Sequence, residues 1–193
     1  MKIPVEVSAR HVHLSLDAAE KLFGENYEFK IKRELSQKGQ YLYEEKVDLF
    51  CGENFIKNVS ILGPMRKETQ LEISLSDARK LKMAVPIKES GNLENSPGFK
   101  LVGPKGEFEA KRGLIAAKRH LHIPNNMEHD LNVKDSQIIK IKIEGSDRNL
   151  VFDDVVVRSN PNFSLALHID TDEGNAANCI KGTFGEILLE KLS

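Results

Sequence analysis

Two stretches decide how the rest of the chain is read: Ser8-Ala9-Arg10-His11-Val12-His13 and Ala117-Lys118-Arg119-His120-Leu121-His122. Each places Arg-His-x-His at the end of an apolar run that is typical of a β-strand. Successive side chains of a strand point to opposite faces, so the two histidines of each pair share a face. Four of the six histidines of the chain lie in these two pairs. The pattern predicts half of a divalent-metal site in each stretch.

Composition and charge narrow the class of protein. The chain has 193 residues, a net charge of −1 and 30% charged residues. This balance gives no bulk field that would favour nucleic acid, and the apolar runs are far shorter than the ~20 residues that span a bilayer. The acidic Glu6 is unlike a signal peptide, and Cys51 and Cys179 form no motif. We therefore expect a cytoplasmic protein with no nucleic-acid or membrane partner.

The rest of the chain consists of short segments separated by turn residues. Residues 3–8 alternate apolar and polar side chains with the period of a half-buried strand. Residues 15–24 predict a short helix between a serine cap and a glycine stop, and Ser76 predicts the cap of another. Residues 150–152 and 155–158 are predicted as separate strands. The pattern predicts a mainly β fold of small barrels or sandwiches with few, short helices.

An internal repeat supplies a third candidate ligand for each histidine pair. When the segment from residue 58 is aligned without a gap on the segment from residue 154, Glu72 falls on His168 and Arg66 falls on Asn162. Each copy then offers His-x-His and one further ligand-type side chain on a later strand. Three protein ligands with an open position are typical of a catalytic zinc site. A duplicated fold with a pseudo-twofold axis would allow both sets to share one cleft.

Simpler interpretations stay open at this point. A single His-x-His pair is often an accident of a surface or a core, and Glu72 alone would be read as a solvent-facing strand residue. Arg66 follows Gly63-Pro64 in a polar loop, where it is either merely exposed or a clamp for an oxyanion or phosphate. The duplication of the pair, and of its third ligand, favours metal binding.

Several longer motifs resemble those of one family. Val5–Ser15, Leu62–Gln70 and Leu167–Glu173 are similar to motifs of the phosphotransacylases of the propanediol-utilisation type, the phosphate propanoyltransferases. Residues 90–98, 101–106 and 117–122 match as well, so the resemblance extends over nearly the whole chain. It implies two tandem, pseudo-symmetric small β-barrels capped by short α-helices. The implied domains are a central barrel of residues 10–117 and a second barrel of residues 1–9 plus 118–193.

The resemblance also implies an activity and a site. The activity is transfer of a short acyl group, acetyl or propanoyl, between coenzyme A and inorganic phosphate, as in propanediol degradation. It would occur at a dinuclear zinc site and give acyl phosphate and free coenzyme A. The implied ligands of the two zinc ions are His11, His13, Glu72, His120, His122 and His168. Arg66 would be the catalytic, phosphate-binding residue, and the implied lining of the coenzyme A cleft is Val7, Ser8, Ala9 and Asn175.

Two positions depart from the family pattern. Glu53 lies where the family usually has Gly-Pro-Lys-Gly, and Ser60 lies where a basic residue is often found. Both family positions are expected to touch coenzyme A. The chain also starts directly at its first strand, without the N-terminal extension of microcompartment members. A cytoplasmic location is therefore expected rather than a microcompartment lumen, and assembly into a homo-oligomer is left open.

Two other functions remain open beside the acyltransferase. The same ligands could activate water in a dinuclear zinc hydrolase, or they could only stabilise a binding module that has no catalytic activity. Because neither cysteine lies in a matched motif, the acyltransferase hypothesis predicts direct transfer within a ternary complex, with no acyl-enzyme.

Overall fold

The computed structural model describes residues 1–188, and the chain divides into two compact units. Met1–Ser8 and the chain from Lys118 onward form one unit, called here the C-terminal unit; Ala9–Ala117 form the other, the central unit. Each unit has its own buried apolar core. The division into domains of residues 10–117 and of residues 1–9 plus 118–193 stays a prediction. Residues 189–193, which the second predicted domain includes, lie outside the described residues.

Within residues 1–188, the chain forms fifteen strands and four short α-helices. In order they are β1 (Ile3–Ser8), β2 (His11–His13), α1 (Leu16–Phe23), β3 (Ile31–Glu34), β4 (Tyr41–Cys51), β5 (Asn54–Gly63), β6 (Gln70–Glu72), α2 (Leu75–Lys80), β7 (Ile87–Lys88), β8 (Phe99–Val102), β9 (Glu107–Ala110), β10 (Leu114–Ala117), β11 (His120–Ile123), a 3₁₀ turn (Asn125–Met127), α3 (Glu128–Leu131), β12 (Ile138–Glu144), β13 (Leu150–Ser159), β14 (Ala166–Asp170), α4 (Thr171–Ala176) and β15 (Phe184–Leu188). No helix within residues 1–188 is long and apolar enough to cross a membrane.

The C-terminal unit is a closed barrel with the strand order β1-β14-β11-β13-β12-β15. The first strand of the chain closes it, because β1 pairs parallel to β14 and antiparallel to β15. The barrel interior follows the period of two: Ile139, Ile141 and Ile143 of β12 are buried, while Lys140 and Lys142 between them are not. Alternation of this kind lets one face of a strand fill a core while the other meets water.

The central unit is a curled sheet with the order β7-β10-β6-β2-β5-β4-β8-β9, and β3 pairs with β4 outside that path. Helix α1 begins as expected: the Ser15 hydroxyl accepts a hydrogen bond from the Ala18 N–H. Gly24, at φ 102°, ends it in a conformation that side chains disfavour. Leu22 of α1 is fully buried in the core of this unit.

The predicted fold class is confirmed: the protein is mainly β, with barrel-like sheets and short helices. Two local predictions are wrong. Residues 150–152 and 155–158 are parts of the single strand β13, which passes through Asp154 at φ 60°. Helix α2 is capped by Ser74 rather than by Ser76, because the Ser74 hydroxyl accepts the N–H of the third helical residue.

Candidate metal centres

The central unit brings together the first predicted set of ligands. In the antiparallel ladder of β2 and β6, His11 lies opposite Glu72 and His13 lies opposite Gln70. Each of the three predicted ligands offers an atom within 4.8 Å of the others, and all three residues are buried. We call His11, His13 and Glu72 the central group. Two imidazole nitrogens and a carboxylate oxygen at this spacing can bind one divalent cation.

The C-terminal unit brings together the second set in the same way. His120 of β11 lies opposite His168 of β14, and His122 lies opposite Ala166. The ring centroids of the three histidines are 4.6 to 5.1 Å apart, and their ligand atoms lie within 4.8 Å of one another. We call His120, His122 and His168 the C-terminal group. Each predicted third ligand is therefore close to the histidine pair of its own unit.

The same backbone contact orients the first histidine of both groups. His11 Nδ1 lies 2.9 Å from the carbonyl oxygen of Ala9, and His120 Nδ1 lies 2.9 Å from that of Lys118. A carbonyl oxygen only accepts, so Nδ1 carries a proton in both rings, and in a neutral ring the lone pair is then on Nε2. A hydrogen bond of this kind commonly fixes the tautomer of a metal-ligating histidine.

Burial keeps the second histidine of each pair neutral. It lowers the pKa of His13, and the nearby His11 and Arg66 lower it further. Burial, His120 and His168 likewise lower the pKa of His122 to about 2. Neutral imidazole is the form that binds a metal. Within residues 1–188, neither ring nitrogen of His122 has a hydrogen-bond partner. A metal ion would satisfy one of these buried nitrogens, so the residues present fit a cation.

A hydrogen-bond network holds Glu72 in place. Its Oε1 accepts hydrogen bonds from Gln70 Nε2 at 2.5 Å and from Ser90 Oγ at 2.9 Å. The Gly91 N–H donates to Gln70 Oε1 at 2.7 Å, which fixes the orientation of that amide. Oε2 of Glu72 faces His11 Nε2 at 3.5 Å. With Oε1 occupied, Oε2 is the oxygen placed to bind a cation.

Gln70 and Ser90 are site residues that the sequence analysis did not identify. Gln70 precedes Glu72 by two positions, so the period of a strand places it on the same face. That spacing was a usable signal. Ser90 begins the matched segment of residues 90–98, which marks the loop, but its contact with Glu72 arises only through the fold.

Arg66 lies beside the central group, and its predicted role in binding phosphate stays a prediction. Its Nη2 donates to His13 Nε2 at 2.9 Å and its Nη1 donates to Ser90 Oγ at 2.9 Å. Its backbone N–H donates to the carbonyl oxygen of Leu14 at 2.8 Å, which ties the loop to the end of β2. A permanently charged fork of donors therefore adjoins a candidate cation site, an arrangement that suits an anionic substrate.

The residues predicted to line a coenzyme A cleft belong to both units. Val7 and Ser8 lie in β1 and Asn175 lies in α4, all in the C-terminal unit, and Ala9 is the first residue of the central unit. Helix α4 packs closely on β1, because a Cβ atom on Gly174 would lie 2.8 Å from the Val7 side chain. The role of these four residues stays a prediction.

The two departures from the family pattern lie in the central unit. Glu53 is exposed in the turn between β4 and β5, while Ser60 of β5 lies opposite His11 in a parallel ladder. Ser60 is thus a neighbour of a candidate metal ligand, whereas Glu53 lies at a surface turn. Their effect on coenzyme A binding also stays a prediction.

The fold and its sites define a mainly β protein that holds a candidate metal centre in each of two units. Comparison with known proteins assigns the family. The family model described as phosphate propanoyltransferase matches residues 4–180. The chain belongs to this family, whose members are phosphate acyltransferases, and the protein is therefore an enzyme.

Individual relatives agree with this assignment. The chain is 48% identical over 176 residues to the phosphate propanoyltransferase of Thermotoga maritima. The aligned residues cover 91% of this chain and 83% of that protein. It is 44% identical over 186 residues to the phosphate propanoyltransferase of Listeria monocytogenes, covering 96% and 87%. It is also 44% identical over 175 residues to that of Salmonella typhimurium, covering 91% and 83%.

Proposed function

We propose that this enzyme transfers a short acyl group, acetyl or propanoyl, between coenzyme A and inorganic phosphate. We further propose that two zinc ions take part, one bound by each ligand group. The observation that carries the proposal is the position of Arg66. In a chain of the phosphate propanoyltransferase family, a guanidinium lies within 2.9 Å of a buried histidine of a metal-capable group.

The donor sets of both groups suit zinc. Histidine nitrogens with or without one carboxylate oxygen are typical protein ligands of catalytic zinc, and three of them leave a fourth position open. When bound, zinc would supply Lewis-acid polarisation of the acyl carbonyl and orientation of a phosphate oxygen. His11, His13 and Glu72 would hold one ion, and the three histidines of the C-terminal group would hold the other.

Arg66 would bind the phosphate. Its planar fork can donate to two phosphate oxygens at once, and its backbone contact to Leu14 keeps the loop in place beside the central group. A positioned phosphate oxygen attacks the thioester carbonyl, so a carbon–oxygen bond forms and the carbon–sulfur bond breaks. Coenzyme A leaves as a thiolate and takes up a proton. Phosphate is already anionic, so the attack requires no general base.

Burial disfavours an acyl-enzyme on either cysteine. Burial raises the pKa of the Cys51 thiol and that of the Cys179 thiol. The thiolate is the nucleophilic form, so burial makes both side chains weaker nucleophiles. This supports direct transfer. Coenzyme A would bind in a cleft lined by Val7, Ser8, Ala9 and Asn175, and Arg66 would hold the phosphate.

A thiol-release assay tests the proposal. Acetyl- and propanoyl-coenzyme A are each supplied with and without phosphate, to protein stripped by a chelator and to the same protein after zinc is restored. We expect thiol release only when zinc and phosphate are both present. Release without phosphate would instead indicate a zinc hydrolase, and zinc binding without any release would indicate a binding module. The cytoplasmic location and the oligomeric state stay predictions.

A further inference from the structure

The arginine that precedes each histidine pair has no role in the function proposed so far. In the central unit, Arg10 Nε donates to Asp77 Oδ2 at 2.6 Å and Arg10 Nη2 donates to Asp77 Oδ1 at 2.8 Å. Asp77 is the third residue of α2, and its N–H donates to the Ser74 cap. It follows the ligand Glu72 by five positions, and Arg10 directly precedes the ligand His11. The ion pair therefore connects the residue before one ligand, His11, to the helix that follows another ligand, Glu72.

The C-terminal unit repeats this arrangement position by position. Arg119 Nε lies 2.7 Å from Glu173 Oε1. Glu173 is the third residue of α4, and its N–H donates to the Asp170 cap at 2.9 Å. It follows the ligand His168 by five positions, and Arg119 directly precedes the ligand His120. The same link is thus built twice, once with an aspartate and once with a glutamate.

Each ion pair lies just beyond a short strand ladder. The ladder of β2 and β6 has three residue pairs and ends at His11 opposite Glu72. The ladder of β11 and β14 also has three pairs and ends at His120 opposite His168. In both units, the first and third ligands of one metal group form the terminal pair of this ladder. A tie placed beyond this end would restrain the spacing of the two ligands.

We infer that Arg10 with Asp77, and Arg119 with Glu173, are positioning pairs that fix the distance between the first and third ligands of each metal group. The inference rests on the metal binding proposed above. Partners outside the ligand set commonly orient metal ligands, and their loss lowers metal affinity about 10- to 100-fold. In this role the arginines act through the ligands rather than on the reacting atoms.

The C-terminal pair separates positioning from helix capping. Glu173 Oε2 accepts the Asp170 N–H at 2.9 Å, so Glu173 also closes a capping box. Burial raises the pKa of Glu173, and the hydrogen bond to Asp170 and the charge of Arg119 oppose that rise. A change at Glu173 would disturb cap and tie together. A change at Arg119 removes the tie, together with the hydrogen bond from Arg119 Nη1 to the carbonyl oxygen of Asp153 at 3.0 Å, and leaves the cap, so the arginines are the residues to vary.

The test is a zinc titration of the full chain against a chromophoric chelator, together with Co²⁺ absorption spectra and melting of the stripped protein. The variants are Arg10→Gln, Arg10→Lys, Asp77→Asn and Arg119→Gln. Arg112→Gln is the matched control, because Arg112 forms an exposed ion pair with Glu68 at 2.8 Å in the central unit. The double variant Arg10→Gln/Asp77→Asn completes a mutant cycle.

We expect each glutamine variant to bind one of the two zinc equivalents about 10- to 100-fold less tightly and to bind the other with unchanged affinity. The Co²⁺ spectrum of the weakened site should change as well, whereas Arg112→Gln should alter neither readout. The double variant should lose no more affinity than Arg10→Gln alone. Arg10→Lys should recover little, because lysine cannot replace two parallel contacts.

The outcomes distinguish this inference from the proposed function. If the unaltered chain binds two zinc ions and Arg10→Gln and Arg119→Gln bind them as tightly, the positioning role is overturned and the metal proposal stands. If the variants lower the melting temperature of the stripped protein but shift no zinc affinity, the pairs are structural only. If the unaltered chain binds no zinc, the metal proposal and the inference both fail.

Discussion

The central and C-terminal groups place their ligands on the same arrangement of strands, but their chemistry differs. In each unit a three-residue strand ladder ends with the first histidine opposite the third ligand. The third ligand is the carboxylate of Glu72 in one unit and the imidazole of His168 in the other. A divalent cation would keep one more unit of positive charge in the C-terminal group. We therefore expect that group to polarise a carbonyl more strongly.

The surroundings of the two groups also differ: those of the central group are more polar than those of the C-terminal group. Opposite the second histidine, the central unit has Gln70, which holds Glu72, and the C-terminal unit has the apolar Ala166. His122 stacks on Phe163, with ring centroids 4.0 Å apart. The comparison teaches that the duplicated backbone sets where the ligands lie, while the side chains around them set charge and polarity. The Arg66 guanidinium beside His13 favours the central group for binding an anion, although Glu72 lowers the positive charge of that group.

The largest expected effect comes from removing one ligand of either group. His11→Ala and His120→Ala should each lose one zinc equivalent, and thiol release should fall on the order of a thousandfold or more, since a bound metal contributes several kcal/mol. Elemental analysis of desalted protein and the thiol-release assay measure both quantities. His129→Ala is the control, because His129 is fully exposed. A variant that keeps its zinc and full activity would make that pair structural.

Removal of Arg66 tests whether only the central group serves phosphate. Arg66→Ala should keep both zinc ions and bind acyl-coenzyme A. Its free-energy barrier for phosphate-dependent thiol release should rise by about 3–5 kcal/mol, since a desolvated charge pair is broken. Arg66→Lys should recover little of it, because lysine lacks the fork. The assay is thiol release at varied phosphate, with Arg112→Ala as control. Unaltered turnover of Arg66→Ala at low phosphate would place the phosphate elsewhere.

The contrast between Gln70 and Ala166 predicts an affinity change confined to one group. Gln70→Leu removes a hydrogen bond that orients Glu72, so the zinc affinity of the central group should fall about 10- to 100-fold. The C-terminal group, which has no such network at Ala166, should be unaffected and serves as the internal control. Competition with a chromophoric chelator measures both equivalents. An equal loss of zinc affinity at both groups would show that Gln70 does not act on the central group alone.

The pKa shifts predict a pH dependence of stability for the zinc-stripped protein. Below about pH 6.5 histidine takes up a proton in the unfolded chain, whereas His122, with a pKa of about 2, stays neutral when folded. The unfolded state then binds more protons, so stability falls as pH falls, by about 1.4 kcal/mol per pH unit for each such histidine. His122→Phe should reduce this slope in urea unfolding between pH 6 and pH 4, and His129→Ala should not. An unchanged slope in His122→Phe would contradict the shift.

The smallest effect concerns Glu53 and asks whether the central unit also contacts coenzyme A. Glu53→Lys restores a positive charge at an exposed turn, where an ion pair contributes about 0.2–1 kcal/mol. The KM for acyl-coenzyme A should fall up to about fivefold while the KM for phosphate stays the same. Steady-state kinetics at two salt concentrations would show the charge dependence. A KM that is unchanged or raised would mean that another residue already supplies the contact.

Much of the candidate site could be predicted because its signals are local or repeated. The period of a strand places His11 and His13 on one face without reference to the rest of the fold. The repeat then indicates Glu72 and His168, and the structure brings each close to its own histidine pair. Local backbone chemistry explains the correctly predicted cap at Ser15. Other caps and strand ends depend on tertiary contacts, so α2 and β13 were predicted less well.

By itself, the sequence determined the mainly β class, the two histidine pairs and the family, because periodicity and motif order are properties of neighbouring residues. Only the tertiary structure decided how the site is held. Arg10 and Asp77 are 67 residues apart, and Ser90 is 18 residues from Glu72. Contacts of this kind form when distant strands and loops pack together, so their partners follow from strand register and packing rather than from local propensity.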